Sequence, residues 1–168
     1  MQLLIINRTK TASSWFNHGF IDEIQKLVAP IGLDDWSAGL IIVDDEEIQT
    51  INRQFRSKDY VTDVLSFSHL VLCDIDIATI RRGKDYAADN LFLDKMETQI
   101  GEIIIAPEFV SNRCKENDWN ISDELAMLVV HGALHLMGWD HEEKSQTEKM
   151  RHLESELLAL TDRSHPLA

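Results

Sequence analysis

Cysteine is scarce in this chain of 168 residues: only Cys73 and Cys114 occur, far apart and in no CxxC pairing. Nothing therefore points to a disulfide framework or a thiolate cluster, and the usage suits a reducing compartment with both thiols as buried small hydrophobes. Long apolar runs are also missing. No stretch reaches the roughly 18 apolar residues of a membrane span, and the opening "MQLLIINRTK" is too short in apolar residues for a signal peptide. A soluble, cytoplasmic protein with no membrane partner is expected. With three prolines and seven glycines there is no linker, repeat or low-complexity tract, so residues 1–168 are read as a single domain. Positive charge is in deficit, 16 basic residues against 29 acidic for a net −13. That argues against a protein that coats nucleic acid electrostatically, but not against a local basic cleft on an acidic body.

What is present orders into alternating elements. "LLIIN" (3–7) reads as a short buried strand. The stretch 13–29 reads as an amphipathic helix, with Phe16, Phe20, Ile24 and Leu27 at helical spacing and Pro30 as its stop. "AGLIIV" (38–43) is a second strand, and Asp44 with Glu47 forms a capping-box pattern for a helix carrying Ile48, Ile51 and Phe55 on one face. "VLSFS" (64–68) and "GEIIIA" (101–106) are further strands, separated by a polar excursion over 69–99, and Pro107 opens another helix. The segment 122–138 is apolar nearly all round, with Ser122 as its expected N-cap and Gly138 at its end, so it should be a buried central helix. A last helix, about 142–160, turns Met150, Leu153 and Leu157 inward. The fold expected is α+β: a small, mostly four-stranded mixed sheet with helices packed over it and a zincin-like metal-binding central helix.

That helix carries the chemistry. In "HGALHLMGWDH" His131 and His135 are four residues apart, hence on one face one turn apart, and Gly138 lets the chain turn back to bring His141 to the same point. Three imidazoles with a fourth position open is the usual ligand set of a catalytic zinc ion, although nickel or another divalent transition metal also accepts imidazole. The spacing matches the long zinc-protease pattern at every metal-related position. The glutamate that serves the protease as general base is, however, replaced by Gly132. A glycine there costs helix propensity, so either something packs closely on the backbone or a substrate needs the room. Peptide hydrolysis by the usual route is disfavoured.

A second motif, "INRQFRSKDYVTDVLSF" (51–67), holds the nearest approach to a basic cluster, Arg53, Arg56 and Lys58. An arginine at a sheet edge suits bidentate contact with phosphate. Thr62, Asp63 and Ser66 read as backbone-fixing residues. Taken with the complete downstream motif, from His131 to His141, this segment resembles the YbeY family of metal-dependent endoribonucleases. Departures are modest: Ile51 for a usual leucine, Val61 and Ser68 where prolines are common, Glu102 for an aspartate, Trp139 for a tyrosine, and a longer 69–99 segment. The resemblance implies a single-strand-specific endoribonuclease of ribosomal RNA maturation, at the 3′ end of 16S rRNA, and of ribosome quality control. It further implies His131, His135 and His141 as metal ligands and Arg56 as an arginine needed for activity. Single-stranded or ribosomal RNA, with ribosomal or ribosome-associated proteins, would be the partners. Two rivals stand beside it: a metalloprotease-like hydrolase drawing its base from Glu102 or Glu108, and a non-catalytic ribosome assembly module with a structural metal. Asp140 is a candidate for orienting a ligand ring, and His18, His69, His152 and His165 are expected on the surface.

Overall fold

A computed structural model describes residues 1–9, 14–32, 34–69, 99–139 and 144–164. In chain order these form β1 (Gln2–Asn7), α1 (His18–Val28), β2 (Ser37–Ile42), α2 (Asp45–Arg56), β3 (Val64–Ser68), β4 (Gln99–Ile105), α3 (Pro107–Asn117), α4 (Ile121–Leu136) and α5 (Lys144–Leu158), closed by a 3₁₀ turn at Ala159–Thr161. The architecture is α+β, as expected. One mixed sheet has the order β1-β2-β4-β3, in which β1, β2 and β4 run parallel and β3 pairs antiparallel with β4 at the edge.

Because side chains alternate along a strand, the sheet has two distinct faces. Leu3, Ala38, Leu40, Ile103, Ile105 and Val64 face the main core, against which α1, α3, α4 and α5 pack. The opposite face offers Leu65, Ile104 and Phe67 to Ile48 and Ile51 of α2. Helix α4 lies at the centre of the larger layer, with Leu125, Val129, Val130, Ala133 and Leu136 wholly buried. No helix among the described residues is long and apolar enough to cross a membrane.

Several boundaries differ from the sequence reading, each for a local reason. Asn120, not Ser122, caps α4: its backbone is extended and its Oδ1 accepts from the Ser122 and Asp123 N–H groups. Helix α1 starts at His18 because Asn17 takes the cap, and Phe16 packs edge-on against Phe20 from outside the helix. Asp44 occupies the N-cap of α2 but makes no side-chain cap bond there. Phe55, expected inward, is 69% exposed and meets Phe67 with ring centroids 5.2 Å apart. His69 is half-exposed but paired, its Nε2 2.8 Å from Glu102. Cys114 is buried in α3 as anticipated. Cys73, His165 and nearly all of the 69–99 excursion lie outside the described residues.

Candidate metal centre and the cleft beside it

The geometry of α4 against the sheet accounts for Gly132. A Cβ built there would stand 2.8 Å from Ile103 Cγ2 and 3.0 Å from Ser66 Oγ. The helix therefore lies so close to β4 and β3 that only hydrogen fits, and of the two explanations open from sequence it is backbone approach that holds. One turn on, Ser68 Oγ donates to the Leu136 carbonyl at 2.8 Å, tying the edge strand to the end of α4. The faces bearing Gly132 and Leu136 are pinned to the sheet, and His131, next to Gly132, lines a cavity bordered by the start of β3. His131 and His135 are both partly exposed on a helix whose neighbouring positions are buried.

Helix α4 ends as its sequence suggests. Gly138 has φ +81°, its N–H donates to the His135 carbonyl at 2.9 Å, and the Trp139 N–H donates to Leu134 at 3.1 Å. This is the paired 5→2 and 6→1 closure of a Schellman motif. It also delivers the Trp139 carbonyl to His135, whose Nδ1 lies 2.8 Å from it. His131 Nδ1 lies 2.7 Å from Oε1 of Glu154, a buried carboxylate on α5. A carbonyl and a carboxylate oxygen only accept, so Nδ1 of each ring carries the proton.

That assignment leaves the Nε2 lone pairs of the two rings facing each other, 3.0 Å apart, with the rings nearly perpendicular at 83°. Two neutral imidazoles so disposed repel unless a cation or an added proton lies between them. Tetrahedral zinc with bonds of about 2.0–2.1 Å sets its ligand nitrogens about 3.3 Å apart, close to what is found here. Outer hydrogen bonds from Nδ1 to a carboxylate or carbonyl are the usual supports of metal-bound histidine. The two described histidines fit such an ion. His141 and Asp140 lie outside the described residues, and among the described ones no cluster of three or more ligating side chains occurs.

Beside His131 a cavity of ≈ 400 Å³ extends toward the N-terminal half of α4, bounded by α4, α5, the start of β3 and the α3–α4 connection. Arg113 lines it, lying 2.5 Å from both Asp63 and Glu124 and so joining α3 to β3 and α4. Asp63 also accepts from the Val64 N–H at 2.8 Å, the backbone-fixing role expected of it. Arg56 stands apart. It is exposed in the last turn of α2, which packs on the other sheet face, and its side chain makes no hydrogen bond or ion pair among the described residues. The sequence reading missed Glu154 and Arg113. For Glu154 the signal was a lone carboxylate on the inward face of α5, among Met150, Leu153 and Leu157.

Comparison with known proteins gives a consistent result. A family model described as endoribonuclease YbeY matches residues 6–162. The endoribonuclease YbeY of Acaryochloris marina is 32% identical over 152 residues, covering 90% of this chain and 77% of that one. That of Alkaliphilus oremlandii is 36% identical over 124 residues, covering 74% and 71% respectively. The solution structure of the Thermotoga maritima protein TM1509 superposes with a TM-score of 0.55 at 26% identity, covering 94% of this chain and 91% of that one.

Proposed function

The chain belongs to the endoribonuclease YbeY family, and on that premise we propose that it is a metal-dependent endoribonuclease specific for single strands. In this reading it matures ribosomal RNA at the 3′ end of 16S rRNA and serves ribosome quality control in the cytoplasm, meeting ribosomal or ribosome-associated proteins there. Residues 1–168 act as one catalytic domain. His131, His135 and His141 hold one zinc ion, or nickel or another divalent transition metal in its place. The observation that carries the proposal is the convergence of two Nε2 atoms at 3.0 Å while both Nδ1 atoms are engaged by acceptors.

When bound, such an ion supplies Lewis acidity and positive charge for displacement at phosphorus. The chain's own contribution is placement. Glu154 and the Trp139 carbonyl fix the tautomer and tilt of the two rings. Arg56, exposed at the end of α2 and apart from the cavity, meets a phosphate further along the strand and so holds it in register. Gly132 offers no base, so the substrate must be one that reacts without it, and an RNA phosphodiester next to a 2′-hydroxyl is such a substrate.

The protease rival loses its candidate bases. Glu102 alternates with Ile103, which contacts α4, so its side chain leaves the opposite face of the sheet and pairs with His69. Glu108 lies close enough to Asp45, at the start of α2, to act on its titration. The assembly-module rival needs a sealed ion, whereas the ring of His131 is about one quarter exposed. Replacing His135 with alanine should abolish both bound metal and cleavage of single-stranded RNA, and Arg56→Ala should spare the metal while lowering turnover. Full cleavage by metal-free His135→Ala protein would overturn the proposal.

A further inference from the structure

The ≈ 400 Å³ cavity that shares His131 with the metal centre falls within the roughly 300–1,000 Å³ of small-ligand sites. Part of its wall is apolar, formed by Trp119, Met127, Leu128 and Met150, and the carboxylates of Asp63, Glu124 and Glu154 also line it. The Trp119 N–H donates to the Cys114 carbonyl at 2.9 Å, and its half-buried ring packs against the main core, which limits the ordering needed on binding. The two arginines at the cavity differ sharply. Arg113 is fully engaged by Asp63 and Glu124, each 2.5 Å away, whose two carboxylates outweigh its single charge. Arg151 is exposed, and its guanidinium meets no acceptor among the described residues. It stands three residues before Glu154, one turn away on the same face of α5, and so beside the carboxylate that supports His131.

An apolar wall with an aromatic ring, an exposed cation with no acceptor among the described residues, and His131 of the candidate metal centre in the same lining together match a nucleotide. We infer that this cavity is a base-binding subsite, in which an unstacked nucleobase lies against Trp119 while Arg151 holds the phosphate of the same nucleotide. The inference rests on the endoribonuclease reading and deepens it, because it gives single-strand preference a physical cause. A paired base cannot enter an enclosed site without leaving its stack, whereas one in a single strand is free to do so. Stacking against an indole tolerates any base, so the subsite selects for strandedness more than for sequence.

The test uses the full-length, zinc-loaded protein and a labelled 2′-O-methyl oligonucleotide, with affinity read by fluorescence anisotropy so that turnover plays no part. An abasic unit is moved along the oligonucleotide one position at a time. Trp119→Ala should weaken binding about tenfold, the range of one lost base stack. One abasic position should cost wild type a similar factor and cost Trp119→Ala nothing more. Arg151→Gln should weaken every sequence about threefold, with metal content unchanged. Trp119→Phe, which keeps a ring, should bind within about threefold of wild type and guards against a folding defect in the alanine variant. Wild-type affinity in both Trp119→Ala and Arg151→Gln, or abasic losses that add to the Trp119→Ala loss at every position, would overturn the subsite while leaving the nuclease reading intact. Failure of the wild type to bind or cleave RNA at all would overturn both.

Discussion

Gly132→Ala separates two opposing effects of comparable size. On an open helix face the change would stabilise by about 1 kcal/mol through helix propensity alone. At this position the added methyl meets Ile103 Cγ2 at 2.8 Å, Ser66 Oγ at 3.0 Å and Ile103 Cγ1 at 3.2 Å. Carbon–carbon contacts are comfortable at about 3.5–4.0 Å, so the helix must lift by several tenths of an ångström or the strand must yield. Ile103 is fully buried, and Ser68 binds the end of α4 to the edge strand, so neither side moves freely. Overpacking of this kind costs about 1–3 kcal/mol, which outweighs the propensity gain and leaves a net loss of about 1 kcal/mol. Urea denaturation of metal-free protein should read that loss directly, with the thermal midpoint falling by about 2–4 °C. Ile103→Ala should relieve the clash, so the double variant should be more stable than the sum of the single effects by about 1 kcal/mol. His131 and His135 ride on the same helix and would shift together, so zinc content should be unchanged. A more stable Gly132→Ala protein, or additive single effects, would refute the close-approach account.

Two further substitutions probe the buried carboxylates. Glu154→Gln keeps an oxygen within reach of His131 Nδ1 but removes the charge and part of the orienting force. Zinc affinity measured by competition with a chromophoric chelator should fall 10–100-fold, as outer-shell partners of ligating histidines typically show, and an unchanged affinity would remove Glu154 from the centre. Arg113→Met strands Asp63 and the buried Glu124 without their shared cation. It should lower stability by about 3 kcal/mol in urea, since breaking a buried pair from one side leaves an uncompensated charge. A loss below about 1 kcal/mol would mean that those carboxylates find other partners or take up protons.

How much of this was legible in the sequence depended on how local each signal was. The spacing of His131 and His135, the left-handed exit at Gly138 and the burial of α4 are properties of one helix, and all were readable before any tertiary contact was known. Caps were less secure because Asn120 and Ser122 are both good cap residues two positions apart, and only backbone geometry chooses between them. Phe55 has the right spacing for the α2 core face, but its ring stays largely exposed and meets Phe67 of the edge strand rather than the buried cluster. The placement of β4 between β2 and β3 and the pairing of Glu154 with His131 are long-range. No periodicity announces them, because each depends on a segment folding back over 20 or more residues. The second support of the histidine pair was invisible for another reason. It is a backbone carbonyl, that of Trp139, and carries no residue signature at all.

The charge balance makes a separate demand on an RNA-cleaving reading, and it is a quantitative one. A chain with net charge −13 repels a polyanion at long range, so its affinity must come from few contacts at close quarters. If phosphates are met chiefly by Arg56 and Arg151, two counterions are released on binding. The slope of log K against log salt for a single strand is then about −1.4, and affinity falls only about sevenfold between 50 and 200 mM salt. Anisotropy titrations of a short single-stranded oligonucleotide across that range, at fixed zinc, should give this shallow dependence, and Arg151→Gln should bring the slope to about −0.7. A slope of −4 or steeper would require a basic track of six or so phosphate contacts. Arg53 and Lys58 would then have to join Arg56, the RNA would run along the face of the sheet that carries α2, and the cavity beside His131 would no longer be the principal grip on the strand.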